Sequence, residues 1–255
     1  MFQRSNKASE RALALDPNRI LAAGQLITNR VERGELTKAY AAAQALVRSR
    51  PESGQAHFTL AYVLRYAGMQ EESARECDAA LELSPGNYQF RSCAWGFMEL
   101  GQTRRAMDFV RLDAGSEWAA FATPSVQLRE GKLAEARESV KKISALAHYH
   151  RDLLEACLGM RPASELDKIA SETENSVLAE PDPEPWYYEG TIMAFCGKPA
   201  IALHMITAAV EQNYCSYSAL LSDPLLAKMR GNKEFDAVLT AAHQCQESVR
   251  NPQGR

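Results

Sequence analysis

The chain has 255 residues, of which 46% are hydrophobic and 24% charged, a balance that excludes general disorder. A net charge of -3 and a pI near 6.0 offer no basic surface to a phosphate backbone, so nucleic acid is not an expected partner. No apolar run approaches the ~18 residues a membrane span needs, and MFQRSNKASERALALDP lacks the apolar core of a signal peptide. The expectation is a soluble, cytoplasmic protein without membrane contact. Cys77, Cys93, Cys157, Cys196, Cys215 and Cys245 show no C-x-x-C spacing and mostly fall inside apolar periodic runs, which predicts buried thiols in a reducing compartment.

In chain order, residues 5–19 read as the second helix of a hairpin whose first helix is absent, with Ala12-Leu13-Ala14-Leu15-Asp16-Pro17 as its close. The bare apolar edge is expected to join an upstream module or to support a homodimer. Residues 20–53 form the next unit, with Leu26, Gly34, Ala39 and Pro51 in frame. In residues 54–86 two apolar-periodic runs meet at Gly68 and the second closes on Leu83-Ser84-Pro85, which predicts helix, tight turn, helix, stop. Residues 87–116 are a shortened copy with Cys93-Ala94, Gly101 and Ala106 but no closing proline. Residues 117–145 keep Gly131 and Ala136, while Pro124 falls in mid-helix and predicts a short or kinked first helix.

A degenerate copy fits residues 146–180, with Gly159 and Pro162 at its turn. AEPDPEP then predicts an extended connector that is not helical before Trp186, with solvation or the charge of a helix N-terminus accounting for Asp182 and Glu184. Residues 183–214 carry Trp186, Gly190, Gly197, Ala202 and Ala209 in frame. Residues 217–247 break the period and supply capping helices around Gly231-Asn232, and 248–255 read as a disordered tail.

Gly34 and Gly68, like Pro17, Pro51 and Pro85, recur at an interval of about 34 residues. Within Gly54 to Asn87 the frame holds His57, Leu60-Ala61, Leu64, Ser73, Ala80 and Pro85, and the pattern resembles the tetratricopeptide repeat; the aromatic of the fourth position is missing. The resemblance implies an all-α, right-handed superhelical solenoid of helix-turn-helix repeats with C-terminal capping helices. Glycine lets the backbone leave the first helix, small residues let the pair pack closely, and copies must stack to bury their apolar faces. The closing segment, with Asp223-Pro224-Leu225, Met229-Arg230 and Phe235, is similar to the endings of such regions in large bacterial regulators. That likeness implies a sensory or scaffolding role.

In the family the first helix of each pair lines a concave groove, at the second, fifth, ninth and twelfth positions of each copy. Those positions here include Phe58, Tyr62, Arg65, Tyr88, Arg91, Trp95, Trp118, Phe121 and Tyr187. Tyr, Trp and Arg carry binding energy at interfaces, so the expected ligand is a peptide or protein segment, with Arg65 and Arg91 on an acidic group. The competing reading packs these aromatics between neighbouring repeats. The Lys and Asn set of carboxylate-clamping co-chaperones is absent, and that activity is not carried over.

No phosphate-binding loop, G-x-G-x-x-G, G-x-S-x-G or H-E-x-x-H occurs. His148 and His150 point to different faces of a helix, and His243 with Cys245 has the same defect, so neither a metal nor another cofactor is expected. The sequence therefore predicts a non-catalytic, bacterial interaction scaffold in signalling or complex assembly. Two alternatives stand beside it: the regulatory segment of a protein kinase, cyclase or transcription regulator whose working module lies upstream, and a small-molecule sensor enclosed around Trp118 and Tyr149.

Overall fold

The computed structural model describes residues 2–251, and no strand occurs among them. After α1 (Phe2–Leu15) the helices pair in sequence: α2 (Ile20–Val31) with α3 (Leu36–Ser49), α4 (Gly54–Tyr66) with α5 (Gln70–Leu83), and α6 (Cys93–Glu99) with α7 (Thr103–Arg111). The next hairpins are α8 (Glu117–Arg129) with α9 (Leu133–Val140), α10 (His148–Cys157) with α11 (Leu166–Leu178), and α12 (Pro183–Phe195) with α13 (Pro199–Glu211). A short α14 (Tyr217–Ser222), a 3-10 turn (Pro224–Met229) and the long α15 (Lys233–Arg250) cap the stack. The molecule is thus an all-α solenoid of antiparallel hairpins.

Small residues set the spacing. Ala61 and Ser73 face each other without exposure, and the Ser73 hydroxyl donates to the Ala61 carbonyl at 2.8 Å, so α4 and α5 approach at backbone distance. Polar side chains start several helices: Ser53, Ser116, Asp182 and Asn232 each accept from a backbone N–H in the first turn of the helix they precede.

Four local expectations are corrected. α8 runs unbroken for 13 residues with Pro124 buried inside it; burying Ala119, Ala122, Val126 and Leu128 on the same helix outweighs the ~3 kcal/mol that an interior proline costs. The connector before Trp186 is already helical from Pro183, because Asp182 caps α12 and a proline in the first turn loses only an N–H that has no helical partner. The segment expected to fray from 248 continues α15 through Arg250 with Val249 buried, and 252–255 lie outside the described residues. The cysteines are not thiols: Cys77 pairs with Cys93, Cys157 with Cys196 and Cys215 with Cys245.

The stack also curls back on itself. Asn213 donates to the Gly34 carbonyl at 2.8 Å, the Cys215 N–H to the Tyr66 carbonyl at 2.7 Å, and Gln246 to the Gly68 carbonyl at 2.6 Å. The end of the sixth hairpin and the cap therefore sit on the turns of the first and second hairpins, and the expected open trough is closed. Gly68 serves twice: its φ of 75° closes the α4–α5 turn, and a Cβ there would run into the Cys215 carbonyl. Gly101 has a similar φ of 70° but open space around it. Gly101→Ala is expected to cost about 1 kcal/mol from backbone conformation alone, and Gly68→Ala distinctly more; thermal melts of the two variants compare them directly.

Candidate functional site

The inner helices α2, α4, α6, α8, α10 and α12 bring their polar side chains together at the axis of the curl, and α12 with its cap bonds to α4, α6, α8 and α10. Asp182, at its cap, accepts from the Tyr66 hydroxyl at 2.8 Å, and Glu184 accepts from Arg65 Nε at 2.6 Å. Arg65 Nη1 also donates to the Ser92 carbonyl at 3.0 Å, and the guanidinium lies 4.6 Å from the centre of the Tyr62 ring. Tyr188 donates to Glu99 at 2.8 Å, while Ser216 and Gln70 donate to the other Glu99 oxygen at 2.9 and 2.7 Å. Tyr214 adds a further hydroxyl to Glu99.

Lower on α12, Glu189 meets His150 at 2.5 Å, and Thr191 accepts from Arg129 at 2.8 Å. Arg129 also binds Asp223 through Nε and Nη2 at 2.9 and 2.7 Å, which ties α8 to the cap. Asp182 and Glu184, expected in a connector or at a helix N-terminus, stand at the N-terminus of α12, which draws them into the interior.

The predicted groove residues lie at three depths. Arg65, Trp95 and Tyr187 are 0%, 5% and 1% exposed, and Phe58, Tyr62, Trp118 and Phe121 are half-buried. Phe58 stacks on Phe90 at 5.2 Å, Trp95 on Tyr188 at 4.6 Å, and Phe121 on His150 at 3.9 Å. Tyr62 donates to Glu32 at 2.9 Å. Tyr88 is 53% exposed, and Arg91 lies 5.8 Å from the centre of its ring and 5.5 Å from that of Trp118. The acidic groups expected opposite the arginines come from the chain itself: Glu184 for Arg65, and Asp113 at 3.2 Å for Arg91. His148 is exposed while His150 is buried on Glu189, so the two do not converge.

Glu32, Glu99 and Arg129 escaped the sequence reading, and Asp223 entered it only through the likeness of the closing segment. A signal was present: the thirteenth residue of the copies starting at 20, 54, 87 and 117 is Glu32, Tyr66, Glu99 and Arg129, polar each time just before the turn. Every one of them joins the axial network.

The charges are unequal. Glu32, Glu99, Asp182 and Glu184 crowd around one fully buried guanidinium, and burial pushes all four carboxyls upward. For Glu32 burial, aided by the charge of Asp182, raises it from 4.5 to about 7. For Glu184 burial outweighs the attraction of Arg65 and raises it from 4.5 to about 8. A carboxyl raised in the folded state keeps a proton that the unfolded chain has lost, so stability is full below about 4.5 and drains away as pH rises through 7 and 8. The urea midpoint is expected to fall between pH 5 and pH 8, and Glu32→Gln with Glu184→Gln to flatten that fall. A wild-type midpoint that climbs over this range would contradict neutral acids at the axis.

No family model matches the sequence, and no curated protein does. Among solved structures, the crystal structure of the APC/C hetero-tetramer Cut9-Hcn1 is similar at TM-score 0.59 with 13% identity, over 99% of this chain and 50% of that one. This chain therefore spans half the length of that neighbour. A tetratricopeptide repeat protein from Parabacteroides merdae is similar at TM-score 0.52 with 13% identity, over 93% of this chain and 91% of that one. Stacked hairpins, turn glycines and these two likenesses agree: the chain has the tetratricopeptide-repeat fold.

Proposed function

We propose that this chain is a non-catalytic scaffold that binds a peptide or protein segment at the outer part of its inner face. The observation that carries the reading is the cluster of Tyr88, Arg91 and Trp118, which water reaches while the deeper groove positions are consumed by the fold. Arg91 lies over both rings, a preorganised arrangement of three residue types that dominate binding energy at interfaces. Arg91 is held by Asp113 in the free chain, so an incoming carboxylate would compete for a cation already in place. The fold supports a protein partner, since stacked hairpins of this type present a long continuous surface. A setting in bacterial signalling or complex assembly follows from the likeness of the closing segment to the endings of large regulators.

Among the described residues no helix is long and apolar enough to cross a membrane. Near the N-terminus, Leu15 and Leu21 are exposed, and a second copy joined there is the form a homodimer would take.

The test is affinity capture from the source organism with wild type and a Tyr88→Ala/Trp118→Ala variant, followed by titration of the captured protein. A loss of tenfold or more in affinity, about 1.4 kcal/mol, is expected with unchanged helical content. Equal retention by both forms would remove this surface from the reading, and light scattering on the same samples separates a heterologous partner from a second copy.

A further inference from the structure

We infer that the six cysteines are a cross-linking framework, three disulfides that staple successive units of the stack, and that the chain works where thiols are kept oxidised. Every cysteine of the sequence has a partner and none is free among the described residues. The Cα separations of 6.0, 5.0 and 5.3 Å fall in the range that a disulfide spans without moving backbone.

Placement strengthens the inference. Cys77 on α5 joins Cys93 at the start of α6, across the junction of the second and third hairpins. Cys157 at the end of α10 joins Cys196 at the end of α12, across the fifth and sixth hairpins. Cys215 after α13 joins Cys245 on α15 and fastens the cap to the sixth hairpin. No bridge lies within one helix pair. In a solenoid each unit contacts only its neighbours, so the stack holds together through its junctions, and all three bridges lie at junctions. Cys215 also stands at the closure, where its N–H bonds the Tyr66 carbonyl, so the third bridge holds the cap at the place where the chain returns to the second hairpin.

The chemistry balances with a protein disulfide as oxidant. A thiolate of one cysteine attacks the oxidant disulfide and forms a mixed disulfide, and the partner thiolate then displaces the oxidant. Each bridge thus gives up two protons and two electrons, and the oxidant leaves as a dithiol. Bridges of this kind persist in the cell envelope, in secretory compartments or outside the cell, and are rare where glutathione and thioredoxin keep thiols reduced. The cytoplasmic expectation from the sequence gives way on this ground.

The decisive measurement is made on the full protein in its source cells, quenched in acid, denatured, and alkylated with N-ethylmaleimide before and after reduction. The expected result is no label before reduction and label on all six cysteines after it, with non-reducing peptide maps giving 77 to 93, 157 to 196 and 215 to 245. Label on the cysteines without reduction, or another pairing, would overturn the inference. Single Cys215→Ser and Cys245→Ser variants, made in an oxidising host, should each expose one alkylatable thiol, and the double variant none. A single variant that exposes none would equally overturn the assigned pairing.

Discussion

Arg65 has no exposure to water, and a guanidinium in that position requires acceptors for its N–H groups. Glu184 accepts from Nε and the Ser92 carbonyl from Nη1, the Tyr62 and Tyr66 rings pack against the cation, and Nη2 has no hydrogen-bond partner among the described residues. Glu184 lies on the sixth hairpin and Arg65 on the second, so pairing them obliges the solenoid to curl until those hairpins meet. An extended superhelix would leave the arginine inside without its partner. The curl then draws in the rest of the axis, where Glu99 gathers hydroxyls from Tyr188, Tyr214 and Ser216, and Arg129 spans from Thr191 to Asp223. An axis that in an open stack would be a ligand groove becomes a second, polar core.

The hairpins were legible in the sequence because their signals are local. Glycine at the end of each first helix and alanine or serine on the facing turn report directly on backbone conformation and helix spacing. Gly34, Gly68, Gly101, Gly131, Gly159 and Gly197 all take positive φ. Closure was not legible, because it depends on how much each junction rotates, and that sums small packing differences over the whole stack. The same Tyr, Trp and Arg types suit a groove or an interior equally well, so Trp95 and Tyr187 read as binding residues until their surroundings are known. Asp182 and Glu184 were misplaced for a related reason. Two prolines read as a break in the helix, whereas at the first turn they begin one.

The closing segment has a structural account that its resemblance to the endings of large regulators did not supply. Asp223 caps the 3-10 turn through the Leu225 N–H at 2.9 Å while its other oxygen holds Arg129, and Leu225, Met229 and Phe235 are buried. These residues seal the end of the apolar core and at the same time anchor α8. A cap that is bonded into the axis, rather than laid over the last repeat, makes the two ends of the stack interdependent.

The Arg65–Glu184 hydrogen bond at the axis joins residues 119 positions apart. At a synthesis rate of about 5–20 residues per second, some 6 to 24 seconds separate the appearance of the arginine from that of its carboxylate. Through that interval the nascent second and third hairpins must keep a hydrated cation beside Tyr62, Tyr66 and Trp95. The half-made protein therefore presents to its surroundings the very trough that the finished one lacks, and whatever escorts it off the ribosome meets an aromatic, charged cleft that vanishes once the last hairpin docks.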